Sequence, residues 1–283
     1  MRLVSYRSPA GPRAGCLVDG GVRDAWTALG EPRLASLREL LAEARLADLE
    51  AALADVAEDH GLLAAPELLP PIPDPEKIVC VGLNYRAHAA EAGIDPPAAP
   101  AIFGKYHNAL TAPGATVALP GASQKVDYEA EVAFVVGSRA RAVEPAAALG
   151  HVAGYTLLND LSARDLQFAT PQWMSGKVFD GSAPCGPALV TADEAGPHDR
   201  IQFTLELNGE TMQSASTEDL IFPIPDLVSH LSKLMTLEPG DIVATGTPSG
   251  VGSAREPQVW LDAGDQIVID SPTLGRLETR IAR

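Results

Sequence analysis

The chain has 283 residues, enough for one large domain or for a large domain with a small partner domain, and too few for a multidomain assembly. Hydrophobic residues make up 46% of it and charged residues 20%, so disorder over most of its length is excluded. The formal net charge of −16 argues against nucleic acid or an anionic membrane as the main partner, because phosphate binding depends on Lys and Arg and only 21 are present.

Cysteine usage and apolar runs predict the cellular location. The three cysteines, Cys16, Cys80 and Cys185, include no C-x-x-C pair. Neither a disulfide framework nor a structural zinc site is therefore indicated, and a reducing compartment fits best. The first residues lack an apolar signal core, and no run approaches the ~20 apolar residues of a membrane span. We therefore expect a cytoplasmic protein without a membrane partner.

Residues 1–65 are expected to form a small N-terminal α+β domain. Apolar runs at 3–6 and 16–18 predict strands, and a turn at Asp19, Gly20 and Gly21 follows the second one. Apolar residues then recur at helical spacing and predict amphipathic helices. These residues are Leu34, Leu37, Leu41, Leu49, Leu53 and Val56. Five prolines within residues 66–76 remove backbone donors and fix φ, which predicts a linker.

Residues 77–283 have a mostly β pattern, so we expect an α+β fold dominated by strands. Apolar runs predict strands at 78–81, 132–136, 155–158, 203–207, 242–245 and 267–269. The dipeptide Asn208-Gly209 predicts a hairpin turn. One clear helix is predicted before Pro239. It carries Leu227, Leu231, Leu234 and Met235.

An acidic segment precedes the run at 132–136. Side chains alternate along a strand, so Asp127, Glu129 and Glu131 are expected on one face. Such a face can simply be solvated at a sheet edge. Here the same face continues as Ala133 and Val135, which places the carboxylates at the mouth of a buried region and favours a cation. An oxygen-only ligand set indicates Mg²⁺, Mn²⁺ or Ca²⁺ in preference to zinc.

Asp160 is the expected further ligand, because it follows the predicted strand at 155–158. Its alternative role is to begin a helix. However, Ser162 and Asp165 match an S-x-x-D capping box and could begin that helix themselves. Asp160 is therefore predicted to be free for metal binding.

His88 and Glu91 form a candidate general-base pair. On a helix, the i, i+3 spacing places the imidazole beside the carboxylate, which can orient the ring. Surface pairs of this kind are common, so the spacing alone also fits a structural role.

Two further segments could bind an anion. Lys177 is a lone cation between aromatic and glycine residues, although a surface lysine is the ordinary interpretation. The glycine-rich loop 246–252 could offer backbone N–H groups and the Thr247 hydroxyl, but it lacks the ending of a phosphate loop. A purely structural turn is the alternative.

Five segments in combination resemble the fumarylacetoacetate hydrolase family. They are Gly82-x-Asn84-Tyr85-x-x-His88-x-x-Glu91, Asp127-x-Glu129-x-Glu131, Asn159-Asp160-x-Ser162-x-Arg164-Asp165, Lys177-x-Phe179 and the loop 246–252. The resemblance extends from residue 77 to the end of the chain. It implies a mixed β-sandwich roll as the catalytic domain, a small domain before it, and a homodimer.

The resemblance also implies a metal site and a lid. Glu129, Glu131 and Asp160 would hold Mg²⁺ or Mn²⁺, with Ca²⁺ as a further candidate. His88 and Glu91 would lie on a mobile lid that orders over the substrate. Many family members have Phe-x-Lys-Pro where this chain has Phe-Gly-Lys-Tyr at 103–106, and Ser or Thr in place of Val178. These departures leave the substrate open.

The function predicted from these features is hydrolysis of the carbon–carbon bond of an acylpyruvate, a small 2-oxo acid. His88, supported by Glu91, would activate water, while the ion and Lys177 stabilise the enolate that forms. The candidates for binding the substrate carboxylate are Lys105, Arg164, Gln167 and Thr247. Decarboxylation of oxaloacetate, hydration or isomerisation of an unsaturated 2-oxo diacid, and a non-catalytic metal-stabilised binding protein are the alternatives.

Overall fold

The computed structural model describes residues 1–55 and 61–283. Within these ranges the strands are β1 (Arg2–Ser8), β2 (Gly11–Val18), β3 (Gly21–Asp24), β4 (Leu62–Leu63), β5 (Leu68–Leu69), β6 (Ile78–Gly82), β7 (Ala101–Lys105), β8 (Leu110–Thr111), β9 (Thr116–Ala118), β10 (Val126–Asp127), β11 (Ala130–Val136), β12 (Val152–Asn159), β13 (Ser162–Ala163), β14 (Ala183–Thr191), β15 (Gln202–Leu207), β16 (Glu210–Ser216), β17 (Ile242–Ala244), β18 (Gln266–Ser271) and β19 (Gly275–Ala282).

The helices in the same ranges are mostly short. They are α1 (Ala25–Ala28), α2 (Leu37–Ala42), α3 (Leu46–Asp55), α4 (Arg86–Glu91), α5 (Pro145–Ala148), α6 (Arg164–Gln167), α7 (Ala192–Ala195) and α8 (Ile224–Leu234). None of these described helices is long and apolar enough to cross a membrane.

One large mixed sheet forms the centre of the molecule. Its strand order is β4-β3-β2-β1-β14-β12-β11-β17-β6-β7, with β5 beside β1 and β8 beside β14. Most pairs are antiparallel, whereas β17 and β6 are parallel. A second sheet, of order β16-β15-β18-β19-β9, supplies apolar residues such as Phe203 and Ile269 to the core on one face of the large sheet. This mostly β, mixed α+β architecture confirms the predicted fold class.

The central strand β11 is buried on both faces. Val132 and Phe134 pack in the core shared with the second sheet. Ala133 and Val135 pack in a second core, which also contains Leu37 of α2. Because side chains alternate along β11, Ala133 and Val135 share a face with Glu131, and this face packs against a core that includes residues from the N-terminal part of the chain.

The N-terminal strands belong to the same large sheet as the rest of the chain. β1 pairs antiparallel with β14, with Leu3 opposite Leu189. Within the proline-rich segment 66–76, β5 pairs with β1, and Ile72 is fully buried. The boundaries 1–65, 66–76 and 77–283 stay a prediction, and across them the structure shows a shared sheet and core.

Two helical expectations need correction. Leu34 lies before α2 and is 52% exposed, so it does not extend the buried helical stripe. The helix predicted before Pro239 is α8, which carries Leu227, Leu231 and Leu234 but ends before Met235, whose backbone is extended. Val56 lies outside the described residues. The hairpin at Asn208 joins β15 to β16 as predicted.

Candidate active site

Three buried carboxylates meet where β11 and β12 pair. Glu131 lies in β11, Glu129 just before it, and Asp160 just after β12. The Asp160 N–H donates to the Glu129 carbonyl at 2.9 Å, which holds the two chain segments together. One oxygen from each of the three side chains lies within 4.8 Å of the others. We call these residues the acidic triad.

The acidic segment around Asp127 is not the single continuous strand that the alternation predicted. The strand is interrupted after Asp127, because β10 pairs with β13 while β11 pairs with β12. The Asp127 carboxylate instead accepts hydrogen bonds from Arg164 Nε (2.9 Å), the Gly252 N–H (2.7 Å) and the Ser253 N–H (3.0 Å). The Asp127 carboxylate therefore holds Arg164 and the backbone of Gly252 and Ser253 in position.

The predicted capping box is wrong. Ser162 lies in β13, and its hydroxyl donates to the Asp160 carbonyl at 2.8 Å. Helix α6 begins after Ala163 without a side-chain cap, and Asp165 accepts from the Ser123 hydroxyl at 2.6 Å. Strand pairing with β10 prevents Ser162 from acting as the cap. The Asp160 side chain nevertheless points into the triad.

Cationic side chains surround the triad. Lys177 Nζ lies 2.7 Å from both Glu129 Oε2 and Asp160 Oδ2. Lys105 Nζ lies 2.6 Å from Asp160 Oδ1. Arg164 Nη1 lies 2.7 Å from Glu129 Oε1. Lys177 and Lys105, unlike most lysines, are almost completely buried. Each ammonium contacts a carboxylate, which offsets the cost of burying its charge.

This charge pattern separates the pKa values of the triad. Burial opposes ionisation of Glu129, but Lys177 and Arg164 outweigh it and lower its pKa to about 2. For Glu131, burial and then the Asp160 and Glu129 charges raise the pKa well above its usual range. Glu131 also has no ion-pair partner among residues 1–55 and 61–283. A cation beside Glu131 would oppose both the burial of its charge and the repulsion from Asp160 and Glu129.

The residues present fit a hard divalent ion. The triad offers only carboxylate oxygens, which are the ligands that Mg²⁺ and Mn²⁺ prefer over the sulfur and imidazole ligands typical of zinc. Their separation of no more than 4.8 Å allows all three to reach one ion. The triad is therefore a candidate metal site.

His88 and Glu91 lie at the edge of a pocket that reaches the triad. The imidazole Nδ1 is 3.0 Å from Glu91 Oε2 within α4, as the i, i+3 spacing predicts. The other oxygen, Glu91 Oε1, accepts from the Gly250 N–H at 2.9 Å. The Glu91 carboxylate thus connects α4 to the glycine-rich loop 246–252. Just before α4 begins, Asn84 Nδ2 donates to the Thr245 carbonyl at 2.8 Å and holds the start of the helix in place.

The glycine-rich loop serves carboxylates of this chain itself. The Gly246 N–H donates to Glu131 Oε2 at 2.8 Å, while Gly250 and Gly252 hold Glu91 and Asp127. The Thr247 hydroxyl donates to the Ala130 carbonyl. The loop therefore positions three acidic side chains, and its binding of an anion through the Thr247 hydroxyl stays a prediction.

Gln213 contributes to this arrangement and was missed by sequence reasoning. Its amide oxygen accepts from the Ala130 N–H at 2.9 Å, and its Nε2 donates to Thr247 Oγ1 at 2.9 Å. It lies in β16, more than eighty residues from Ala130 along the chain. No local motif marks it, and its burial inside a hairpin strand would have been the only available signal.

The pocket has a volume of about 620 Å³. Glu129, Glu131 and Lys177 lie at its buried end, with His88 and Glu91 also lining it. Of the four predicted carboxylate-binding residues, Arg164, Gln167 and Thr247 line the pocket, and Lys105 does not. Gln167 Oε1 accepts from Arg164 Nη1 at 3.0 Å. Substrate binding by these four residues stays a prediction.

Comparisons with known proteins identify the family of this chain. A family model described as fumarylacetoacetate (FAA) hydrolase C-terminal matches residues 77–282. A Bos taurus protein named oxaloacetate tautomerase FAHD2A, mitochondrial, is 38% identical over 289 residues, which cover 99% of this chain and 91% of the relative. Fumarylacetoacetate hydrolase from the psychrophile Exiguobacterium antarcticum has a similar structure, with a TM-score of 0.85, 32% identity and full coverage of both chains.

A second solved structure bears on the metal. Maleylpyruvate hydrolase from Sphingobium sp. SYK-6, in complex with manganese(II) ion and pyruvate, matches with a TM-score of 0.81 and 30% identity, over 100% of this chain and 99% of the other. Together with the match of the family model to residues 77–282, these similarities show that the chain belongs to the fumarylacetoacetate hydrolase family.

Proposed function

We propose that this protein is a divalent-metal-dependent enzyme that catalyses enol–keto tautomerisation of a small 2-oxo acid such as oxaloacetate. The observation that carries the proposal is the His88–Glu91 pair at the edge of a pocket whose buried end contains Glu129, Glu131 and Lys177. Relatives named oxaloacetate tautomerase, which match 99% of this chain, support this choice of reaction within the family.

Glu129, Glu131 and Asp160 would hold the ion, which we propose to be Mg²⁺ or Mn²⁺. When bound, it would supply Lewis-acid stabilisation of the negative charge that an enolate carries on oxygen. The manganese complex of a structural neighbour supports a divalent ion in this family. The Lys177 ammonium lies at the same end of the pocket and would stabilise the same charge.

His88 would move the proton. An ionised Glu91 carboxylate can only accept a hydrogen bond, so Nδ1 of His88 donates to it and Nε2 is left to accept a proton. In the ketonisation direction, Nε2 would take the proton of the enol hydroxyl, which leaves an enolate, and the resulting imidazolium would deliver a proton to the carbon next to the oxo group. The Gly250 N–H holds the second oxygen of Glu91 and so fixes the orientation of the pair.

Hydrolysis of an acylpyruvate is the second candidate. The solved neighbour that carries pyruvate is a hydrolase, and the pocket has room for water beside a small acid. In that reaction the same imidazole would take a proton from water instead of from carbon. Decarboxylation of oxaloacetate and isomerisation of an unsaturated 2-oxo diacid would use the same buried end of the pocket.

A product-resolved assay tests the proposal. The protein loaded with Mn²⁺ is given enol oxaloacetate and, separately, acetylpyruvate, and the products are followed by ultraviolet absorbance and by NMR. We expect fast ketonisation of oxaloacetate and a loss of about 10²- to 10⁴-fold in His88→Gln, with Mn²⁺ affinity retained. His151→Gln, at a partly exposed histidine outside the pocket, is the control.

One outcome would decide against tautomerisation, and another against the role of His88. Cleavage of acetylpyruvate without acceleration of ketonisation would select the second candidate. Equal ketonisation rates in His88→Gln and the unaltered protein would remove His88 from the mechanism.

The cytoplasmic location and the homodimer stay predictions, and light scattering of the purified protein would check the dimer.

A further inference from the structure

Outside the metal end, the pocket is lined by several large apolar side chains together with polar ones such as Lys125 and Gln258. Phe103 and Trp173 form one side, with their rings in edge-to-face contact at 5.9 Å between centroids. Lys177 Nζ lies 4.9 Å from the centroid of the Phe103 ring. We call Phe103 and Trp173 the aromatic wall. It begins beside Lys177.

The wall is held in place by a close approach of the backbone. A Cβ atom on Gly82 would overlap the six-membered ring of Trp173, so the indole packs directly against the end of β6. This contact fixes the six-membered ring of Trp173, a residue that lines the pocket. The wall is therefore a preformed surface.

Three more apolar residues lie around the pocket, and we call them the apolar rim: Ile94, Phe168 and Trp260. Phe168 is 65% exposed and Ile94 is 49% exposed. Neither contributes much to the core, yet both line the pocket. Large apolar side chains exposed together at a concave site indicate a binding surface for an apolar group.

The pocket is large for a C4 diacid. Its volume of about 620 Å³ falls in the range of about 300 to 1,000 Å³ that is typical of pockets for drug-sized ligands. A substrate consisting only of the 2-oxo acid and a second carboxylate would be too small to fill this volume once it occupied the buried end.

Building on the proposed function, we infer that the substrate is a 2-oxo acid with an aromatic or other bulky apolar group beyond the enolisable carbon. This group lies between the aromatic wall and the apolar rim. A second carboxylate in that place would have Lys125 as its partner, 5.9 Å from the Trp260 ring centroid. Lys125 is exposed and hydrated, and Asp165 also lines the pocket, so the charges favour an anionic tail only weakly.

The test uses three inert analogues that share the 2-oxo acid end. Oxamate has no tail, N-phenyloxamate has an aromatic tail and N-oxalylglycine has a carboxylate tail. Each is titrated calorimetrically into the full chain, with Mn²⁺ and with EDTA. We expect N-phenyloxamate to bind about tenfold to a hundredfold more tightly than oxamate, which is the range for burial of one aromatic ring.

Two variants locate the effect. Phe168→Ala and Ile94→Ala should each lower the ratio of the N-phenyloxamate and oxamate affinities severalfold. Leu149→Ala, which removes a 40% exposed leucine outside the pocket, should leave the ratio unchanged. Because both rim residues are largely exposed, neither change is expected to disturb folding.

The inference is overturned if N-phenyloxamate fails to bind in both conditions, if it gains less than threefold over oxamate, or if N-oxalylglycine binds more tightly than N-phenyloxamate. A ratio unaffected by both rim variants also overturns it. Selective binding in a protein that turns over no 2-oxo acid would refute the proposed function and leave the inference standing. Turnover of oxaloacetate without that selectivity would do the reverse.

Discussion

Lys177 provides the sharpest test of the charge arrangement at the triad. Its ammonium lies 2.7 Å from carboxylate oxygens of both Glu129 and Asp160, and the side chain is 3% exposed. Replacing it in Lys177→Met keeps most of the volume and leaves two buried carboxylates without this partner. Removing one member of a buried ion pair costs about 3 to 5 kcal/mol. At about 2 °C per kcal/mol for a chain of this size, the melting temperature in EDTA should fall by about 6 to 10 °C.

A divalent ion at the triad should offset much of this loss. It would place positive charge beside the same Glu129 and Asp160 oxygens that Lys177 neutralises. The melting temperature of Lys177→Met should therefore rise more on addition of Mn²⁺ than that of the unaltered protein. Thermal unfolding followed by circular dichroism, with EDTA and with Mn²⁺, measures both differences.

Lys233→Met is the matched control. Lys233 is 52% exposed, and its ammonium lies 3.9 Å from Glu144 Oε1, so its removal should change stability by less than about 0.5 kcal/mol. If Lys177→Met lost no more stability than this control, the argument from a buried ion pair would be refuted. An equal loss with EDTA and with Mn²⁺ would show that the ion and Lys177 do not share carboxylates.

Two further predictions concern the loop and the N-terminal strands. Gly250→Ala should destabilise the protein and release Glu91, because Gly250 has φ of +101° and a Cβ there would overlap the Met212 carbonyl. Gly121→Ala is the control, since Gly121 has open space around it and the change should be nearly neutral. Chemical denaturation measures the stability of both variants. Asp24→Asn should cost about 1.5 to 3 kcal/mol at pH 7. Burial opposes ionisation of Asp24, but hydrogen bonds from Arg13, Tyr6 and Thr27 together outweigh it and lower the pKa.

The pH dependence of Asp24→Asn has a definite sign. A carboxyl whose pKa is lowered by folding stabilises the protein above its unfolded pKa of about 3.9 and loses that contribution as the pH falls through the lower folded value. The stability difference between the two proteins should therefore be constant near neutrality and shrink below about pH 4. Urea unfolding at a series of pH values measures it, and a difference that grew in acid would contradict the assignment.

Local features of the chemistry could be predicted from the sequence because they depend on short-range geometry. The helical i, i+3 spacing predicts the contact between His88 and Glu91, which the structure shows at 3.0 Å. Alternation along β11 predicts that Glu131 shares a face with Ala133 and Val135. The order of the motifs was sufficient to predict the family, which the match to residues 77–282 confirms.

The break between β10 and β11 could not be predicted in this way. An unbroken alternating pattern continues through Asp127, and only the separate pairing of β10 with β13 shows that the strand is interrupted. The same pairing removed Ser162 from the predicted capping box. Strand partners come from distant parts of the chain, so the local pattern does not contain this information.

The sequence by itself determined which acidic and basic residue types are available, and the tertiary structure decided which of them meet. Lys105 and Asp160 are 55 residues apart in the chain, and their ammonium and carboxylate lie 2.6 Å apart. The loop at 246–252 turns its N–H groups toward Glu131, Glu91 and Asp127 because those side chains are brought there by three separate elements. Buried charges must find partners, and which partners are within reach depends on strand order and register, which no local motif encodes.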